Sequence, residues 1–340
     1  MALPSTLRIG ISGFGRLARE YYVPILNRIA GVTLVAVADP LLESRMAAKH
    51  LLPSVRTYID FDQMCAQEEL EAMLVASPPS SHLDAWAVAR ARGLATFIEK
   101  PLGLVSQLPC VPHLNDVEAG LMLNFNRRFW PAYRQVCDAV ASGYIGQLRS
   151  IDLVLQTNAR RWSTVTQHRM SPGEGGVLHD LGSQALDVVC EIIQAEPVKI
   201  SACVRPSRYE QLDLQMEFAN GASARCRLGY SGGDLESLVI VGSDKNIIMR
   251  AANMAPHITD SLRLPLSDYI SDYVALGYRV FAVHQRLLHY TMTKALAQFT
   301  HALRTNTCQR PGYGAAVANL RLLARAAESM HSSSAQLTHG

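Results

Sequence analysis

Hydrophobic and polar positions follow one rhythm up to residue 124 of this chain and another beyond it. In the first stretch, short apolar runs at Leu7–Ser12, Thr33–Ala38, Arg56–Tyr58, Ala72–Ala76, Ala95–Ile98 and Leu121–Asn124 are separated by segments of helical period. Strand and helix in alternation predict a parallel sheet covered on both faces. From residue 125 the strand-like runs follow one another more directly: Ile151–Gln156, Val198–Val204, Leu212–Ala219, Ala222–Leu228, Leu238–Gly242 and Ile247–Arg250. Asn220-Gly221 between two of them is a hairpin signal. These runs predict a mostly antiparallel sheet in an α+β domain. Helical patterns run from Pro131 to about Ser142, over Tyr278–Arg304 and over Gly314–Met330. The division expected is therefore a dinucleotide-binding domain over 1–124, a substrate and oligomerisation domain over 125–331, and a disordered tail over 332–340. Met254–Tyr273, rich in proline, serine and aspartate, is expected to be an extended loop.

Composition narrows the class. The chain has 340 residues, 49% hydrophobic and 18% charged, enough to bury substantial cores. A net charge of +3, without a lysine or arginine run, gives no footprint for nucleic acid. The seven cysteines are odd in number and scattered, which suits reduced thiols better than disulfides or a metal site. No apolar run approaches the roughly 18 residues of a membrane span, and the N-terminus lacks a signal-peptide pattern. A cytoplasmic location with no membrane partner is the expectation.

The chemistry begins at the first strand. It runs into Gly13-Phe14-Gly15-Arg16-Leu17-Ala18, a G-x-G-x-x-A turn entering a helix expected to reach about Ile29, with a bend at Pro24. Glycines there let the chain turn tightly and bring a pyrophosphate onto N–H groups at the helix N-terminus. Asp39, at the end of the second strand, is placed to accept from the adenosine ribose hydroxyls and to repel a 2′-phosphate. NAD is favoured over NADP, with Arg45 the one nearby cation. Ser77-Pro78-Pro79 ends another strand, and Ser81 with Asp84 looks like a capping box opening a helix that carries His82. The strand at Ala95–Ile98 delivers Glu99-Lys100-Pro101 to the sheet edge where ligands bind. Gly176 to Asp187, read as a helix, sets Asp180, Gln184 and Asp187 on one face, a polar stripe for a cleft that the glycine turn and Lys100 fold back to meet.

Together these segments resemble the Gfo/Idh/MocA family of NAD(P)-dependent oxidoreductases, over nearly the whole chain. The resemblance rests on Gly13–Ala18, Ser77-Pro78-Pro79 with His82, Glu99-Lys100-Pro101, Asn126 to Phe129, and Gly176–Asp187. It implies a Rossmann domain with strand order 3-2-1-4-5-6, then a domain built on a large open sheet that often forms dimers or tetramers. It implies a role for Lys100 at the nicotinamide ribose and substrate, and an often cis Lys100–Pro101 bond. Cofactor contacts are expected at Gly13, Phe14, Gly15, Arg16, Leu17, Asp39, Ser77, Pro78, His82, Glu99 and Lys100. The family's acid/base motif, D-x-G-x-H-x-x-D, is matched at Asp180, Gly182 and Asp187, but Gln184 stands where its histidine belongs. His179 lies five residues away, about 140° round the helix, and does not replace it. Lys100, Asp180 and Gln184 are the expected catalytic set. Asn126, Arg128, Arg161 and Trp162 are candidate substrate contacts, arginine for anionic groups and tryptophan for a sugar face. The expected activity is NAD-dependent hydride transfer at a carbinol or ketone of a sugar, nucleotide sugar or cyclitol. The alternative is a nicotinamide-binding sensor without catalysis.

Overall fold

The computed structural model describes residues 6–112, 120–158, 176–205, 210–230, 235–250, 257–260, 277–308 and 310–337. The chain forms two compact units, one of residues 1–126 and 289–320, the other of 127–288 and 321–340. The two are interleaved along the sequence.

The first unit is a six-stranded parallel sheet in the order β3-β2-β1-β4-β5-β6. Its strands are β1 (Leu7–Ser12), β2 (Val32–Ala38), β3 (Arg56–Tyr58), β4 (Ala72–Val75), β5 (Ala95–Glu99) and β6 (Leu121–Asn124). The strands β4 and β5, and β6 at the edge, are buried at every residue, as expected for a sheet covered on both faces. The connecting helices are α1 (Val23–Leu26), α2 (Leu42–Leu51), α3 (Phe61–Gln67) and α4 (His82–Ala91). The helix after the glycine turn is shorter than its sequence pattern suggests. It begins at Arg16, passes through a wide π turn at Ala18–Tyr22 and ends at Leu26. That turn moves the Val23 N–H onto the Ala18 carbonyl, just ahead of Pro24, which has no N–H to offer. The capping box expected at Ser81 does not form. Its hydroxyl instead donates to the Pro78 carbonyl and meets the Ser77 hydroxyl.

The second unit holds α5 (Pro131–Ala141) and α6 (Ser183–Ile193) against a seven-stranded sheet. Its strands are β7 (Leu148–Thr157), β8 (Lys199–Arg205), β9 (Gln211–Glu217), β10 (Ser223–Tyr230), β11 (Leu235–Gly242), β12 (Lys245–Arg250) and β13 (His257–Asp260). They lie in the order β13-β12-β11-β7-β10-β9-β8. Only the β7–β10 pair is parallel. Asn220-Gly221 makes the expected hairpin, with Gly221 at φ +81°. β13 lies inside the stretch read from sequence as a loop.

Two long helices complete the chain, α7 (Gly277–Thr305) and α8 (Tyr313–Leu337). α8 runs to Leu337. Residues 289–320 belong to the first unit: Phe299 packs on Phe97, Tyr313 stacks on Trp86, and the Leu123 N–H donates to the Pro311 carbonyl.

Candidate active site

The cofactor motifs lie in the first unit. Gly13 has φ +89°, and a Cβ there would stand 2.5 Å from the Ser77 backbone nitrogen, so only glycine allows β1 and β4 to approach this closely. Around Gly15 the space is open, with no atom of the described residues within 4 Å of where a Cβ would stand, leaving room for a phosphate against the backbone. Asp39 is 7% exposed. Its Oδ2 accepts from the Phe14 N–H at 2.7 Å and its Oδ1 from the Leu41 N–H at 2.9 Å. The acid therefore pins the glycine turn and still has lone pairs for ribose hydroxyls. Arg45 donates to the carbonyls of Asp39 and Pro40. The pinned turn, the open space at Gly15 and the acid at the end of β2 fit a dinucleotide. Phe14 is buried, Arg16 pairs with Glu20, and Leu17 lies in the first turn of the helix.

His82 is 1% exposed, with Nδ1 2.7 Å from the Pro101 carbonyl oxygen and Nε2 2.8 Å from that of Ser77. Burial lowers its pKa against the pull of both carbonyls. The ring ties the loop after β4, Ser77-Pro78, to the loop after β5. Lys100–Pro101 is cis, at the carboxyl end of β5. Glu99 turns the other way, accepting from the Tyr22 hydroxyl and from Asn124 Nδ2 (2.8 Å). Burial and the adjacent carboxylate push the Tyr22 phenol well up. His82 and Glu99, expected as cofactor contacts, are thus both committed to ties between strand ends.

The Asp180 helix lies in the second unit, beginning at Gly176 and running through a π turn (Leu178–Gly182) into α6. Gly176, at φ +59°, leaves room for the Glu210 carboxylate, whose Oε1 would lie 2.7 Å from a Cβ there and accepts from the Val177 N–H at 2.9 Å. Burial, and to a lesser degree the Asp180 charge, raise the Glu210 pKa. Tyr230, at the end of β10, donates its hydroxyl to Asp180 Oδ2 at 3.1 Å. Gln184 Oε1 is buried with no hydrogen-bond partner among the described residues. His179 is buried, its carbonyl accepting from the Ser183 hydroxyl.

Residues 7–109 match a family model described as an oxidoreductase family with an NAD-binding Rossmann fold, and residues 133–248 match the GFO/IDH/MocA C-terminal domain. An uncharacterized oxidoreductase of Rhizobium meliloti is 30% identical over 242 residues, 69% of this chain and 68% of that protein. The chain belongs to the Gfo/Idh/MocA family. Inositol 2-dehydrogenase of Rhizobium meliloti is 28% identical over 201 residues, and the match spans 58% of each chain. Among solved structures, scyllo-inositol dehydrogenase of Lactobacillus casei, with NAD(H) and scyllo-inositol bound, superimposes with a TM-score of 0.76 at 20% identity, covering 97% of this chain and 98% of its own. The WlbA dehydrogenase of Bordetella pertussis, holding NADH and UDP-GlcNAcA, gives a TM-score of 0.78 at 17% identity, covering 97% and 96%. At those identities the structures show a shared fold.

As a Gfo/Idh/MocA oxidoreductase, this chain differs from expectation along the Asp180 helix. Asp180, Gln184 and Asp187 do not form one open polar face. Asp187 is 4% exposed and turned to Arg128, whose Nη2 donates to its Oδ1 at 2.6 Å, while Arg128 Nη1 meets Glu191 Oε2 at 2.6 Å. Burial pushes the Asp187 carboxyl up to about 6 although Arg128 opposes the shift. Arg128 spends its guanidinium on these ion pairs, so a structural role accounts for it. Its neighbour Arg127 makes a second buried pair with Glu236, donating Nε and Nη2 at 2.9 Å each, and Tyr133 donates to the same carboxylate. Asn126 opens a single 3-10 turn, Asn126–Phe129. Arg161 and Trp162 lie outside the described residues. Tyr230 and Glu210 were not singled out from sequence. Each gains its meaning from a partner far along the chain. No helix among the described residues is long and apolar enough to cross a membrane, and no metal-binding cluster occurs among them.

Proposed function

We propose that the chain is an NAD-dependent dehydrogenase of a cyclitol or related sugar, oxidising a carbinol or reducing the matching ketone. The observation that carries this reading is the pairing of a complete dinucleotide cradle with Lys100 at the carboxyl end of β5 in a chain related to inositol 2-dehydrogenase. The bound nicotinamide supplies the hydride acceptor or donor. The Gly13–Ala18 turn holds the pyrophosphate, with Ser77 and Pro78 beside it. Asp39 accepts from the adenosine ribose and disfavours NADP, because a 2′-phosphate would meet its carboxylate. Lys100 donates a hydrogen bond to the reacting oxygen and is the main polar catalytic group. Asp180, Gln184 and Asn126 bind substrate hydroxyls, and Gln184 Oε1 takes the donor it lacks. The division of labour is a cofactor domain over 1–124, to which residues 289–320 also belong, and a substrate domain over the rest of 125–331. The second sheet leaves alternate residues of β8 and β9 exposed, which suits pairing of copies into a dimer or tetramer.

The test is reduction of NAD, followed by NADH absorbance, with a panel of cyclitols, sugars and nucleotide sugars. Turnover with a cyclitol supports the reading. In the same assay Lys100→Ala should remove turnover while NADH binding persists; an undiminished rate would show Lys100 to be structural. NAD should bind more tightly than NADP, and Asp39→Ala should narrow the difference. Gln184, which does not ionise, favours a second reading as a nicotinamide-binding sensor. Tight NADH binding without turnover on any panel member would select it.

A further inference from the structure

A dehydrogenase of this kind must place a proton as well as a hydride. When a carbinol carbon gives up hydride, the hydroxyl proton must leave with it, and the amide at position 184 has no basic atom to receive it. Asp180, the ionisable side chain just ahead of Gln184 along the helix, sits within the π turn Leu178–Gly182. From β10, the Tyr230 side chain, 2% exposed, donates its hydroxyl to Asp180 Oδ2 at 3.1 Å. From the residue preceding β9, Glu210 brings a second carboxylate near, anchored on the Val177 N–H. Gln184 Oε1, buried without a partner among the described residues, leaves an acceptor free for a ligand donor one helical turn on.

We propose that Asp180 accepts the substrate's hydroxyl proton in this chain, and that Tyr230 is the positioning residue that keeps its carboxylate ionised and aimed. The inference rests on the dehydrogenase reading above. In the oxidation, the C–H electron pair leaves with hydrogen as hydride to the nicotinamide. The substrate O–H bond breaks, its electron pair closes the new C=O bond, and the proton forms an O–H bond on Asp180. Solvent then takes that proton before the next turnover; ketone reduction runs the same steps backwards. Two neighbouring carboxylates resist carrying charge together. Of the two, Asp180 accepts from the Tyr230 hydroxyl, a bond that favours its charged form. Glu210 is the partner whose pKa burial and Asp180 raise. His179, the residue before Asp180, is buried and hydrogen-bonded through its carbonyl to Ser183.

The experiment measures kcat and KM against pH for the wild type, Asp180→Asn, Asp180→Glu and Tyr230→Phe, with NADH binding followed by fluorescence. The wild type should lose kcat on the acid side along one limb. Asp180→Asn should lower kcat by ~10²–10⁴ with NADH binding kept, and Asp180→Glu should recover part of it. Tyr230→Phe, which keeps the ring, should move the acid limb upward by roughly one pH unit, because the carboxylate has lost a donor to its charged form. A merely structural tyrosine would change stability and leave the limb in place. Should Tyr230→Phe fail to fold, the wild-type limb and its loss in Asp180→Asn decide the matter. Undiminished kcat in Asp180→Asn, or an unmoved limb in folded Tyr230→Phe, overturns the proposal and leaves the dehydrogenase reading standing. Wild-type protein that binds NADH but turns over nothing overturns both.

Discussion

Glutamine at position 184 changes what one side chain can do. It donates and accepts hydrogen bonds but carries no proton at neutral pH. Its Oε1 lies buried without a partner among the described residues, a state that costs about 1–3 kcal/mol unless a ligand fills it. If Gln184 binds a substrate hydroxyl as proposed, Gln184→His should therefore lower turnover on the natural substrate, because the replacement removes that acceptor. A large gain in kcat would show instead that the site only lacks a proton carrier. Lys100, Asp180 and Gln184 stand out as candidates in the sequence because each sits in a short contiguous motif. The partners that define them were not. Tyr230 reaches Asp180 across 50 residues and Arg128 reaches Asp187 across 59. Nothing local to either position records the pairing.

Elements were easier to read than their joints. The parallel sheet announces itself through buried runs such as Ala72–Val75 and Leu121–Asn124, whereas its strand order is implied by the family resemblance and not by the pattern. β13 was missed because His257–Asp260 has no period of its own and becomes a strand by pairing with β12. The two π turns, at Ala18–Tyr22 and Leu178–Gly182, also leave no mark in a pattern read at 3.6 residues per turn. The tightest joint is the one between β1 and β4. Gly13→Ala would force a side chain against the Ser77 backbone at a φ of +89°. The left-handed conformation alone costs about 1–2 kcal/mol, and the clash adds to it. A lowered melting temperature together with weakened NADH binding is expected. An alanine variant with wild-type values for both would show that the turn is looser than its geometry.

At the scale of the whole molecule, the seven cysteines divide by burial. Cys110, Cys203 and Cys308 are exposed, whereas Cys65 and Cys226 are buried and Cys137 and Cys190 half-buried. Burial pushes the thiols of Cys65 and Cys137 up to about 11 and that of Cys190 to about 12. Burial raises Cys226 as well. The thiolate is the reactive form, so a thiol reagent near neutral pH should modify three cysteines quickly and the other four only after unfolding. Seven fast reactions in native protein would contradict the packing. The interleaving of the units has a consequence for synthesis. The sheet of residues 7–124 is finished by Phe299 against Phe97, Tyr313 against Trp86 and the Pro311 carbonyl under Leu123. Translation adds roughly 5–20 residues per second, so the nascent sheet stands on the order of ten seconds or more before those residues exist. A fragment of residues 1–126 should melt below the full chain and bind NADH weakly. Supplying the segment from His289 to Leu320 as a separate peptide should restore part of both. In the cell, the cofactor half of this enzyme is started first and completed among the last, and its exposed flank is the surface a chaperone would meet in between.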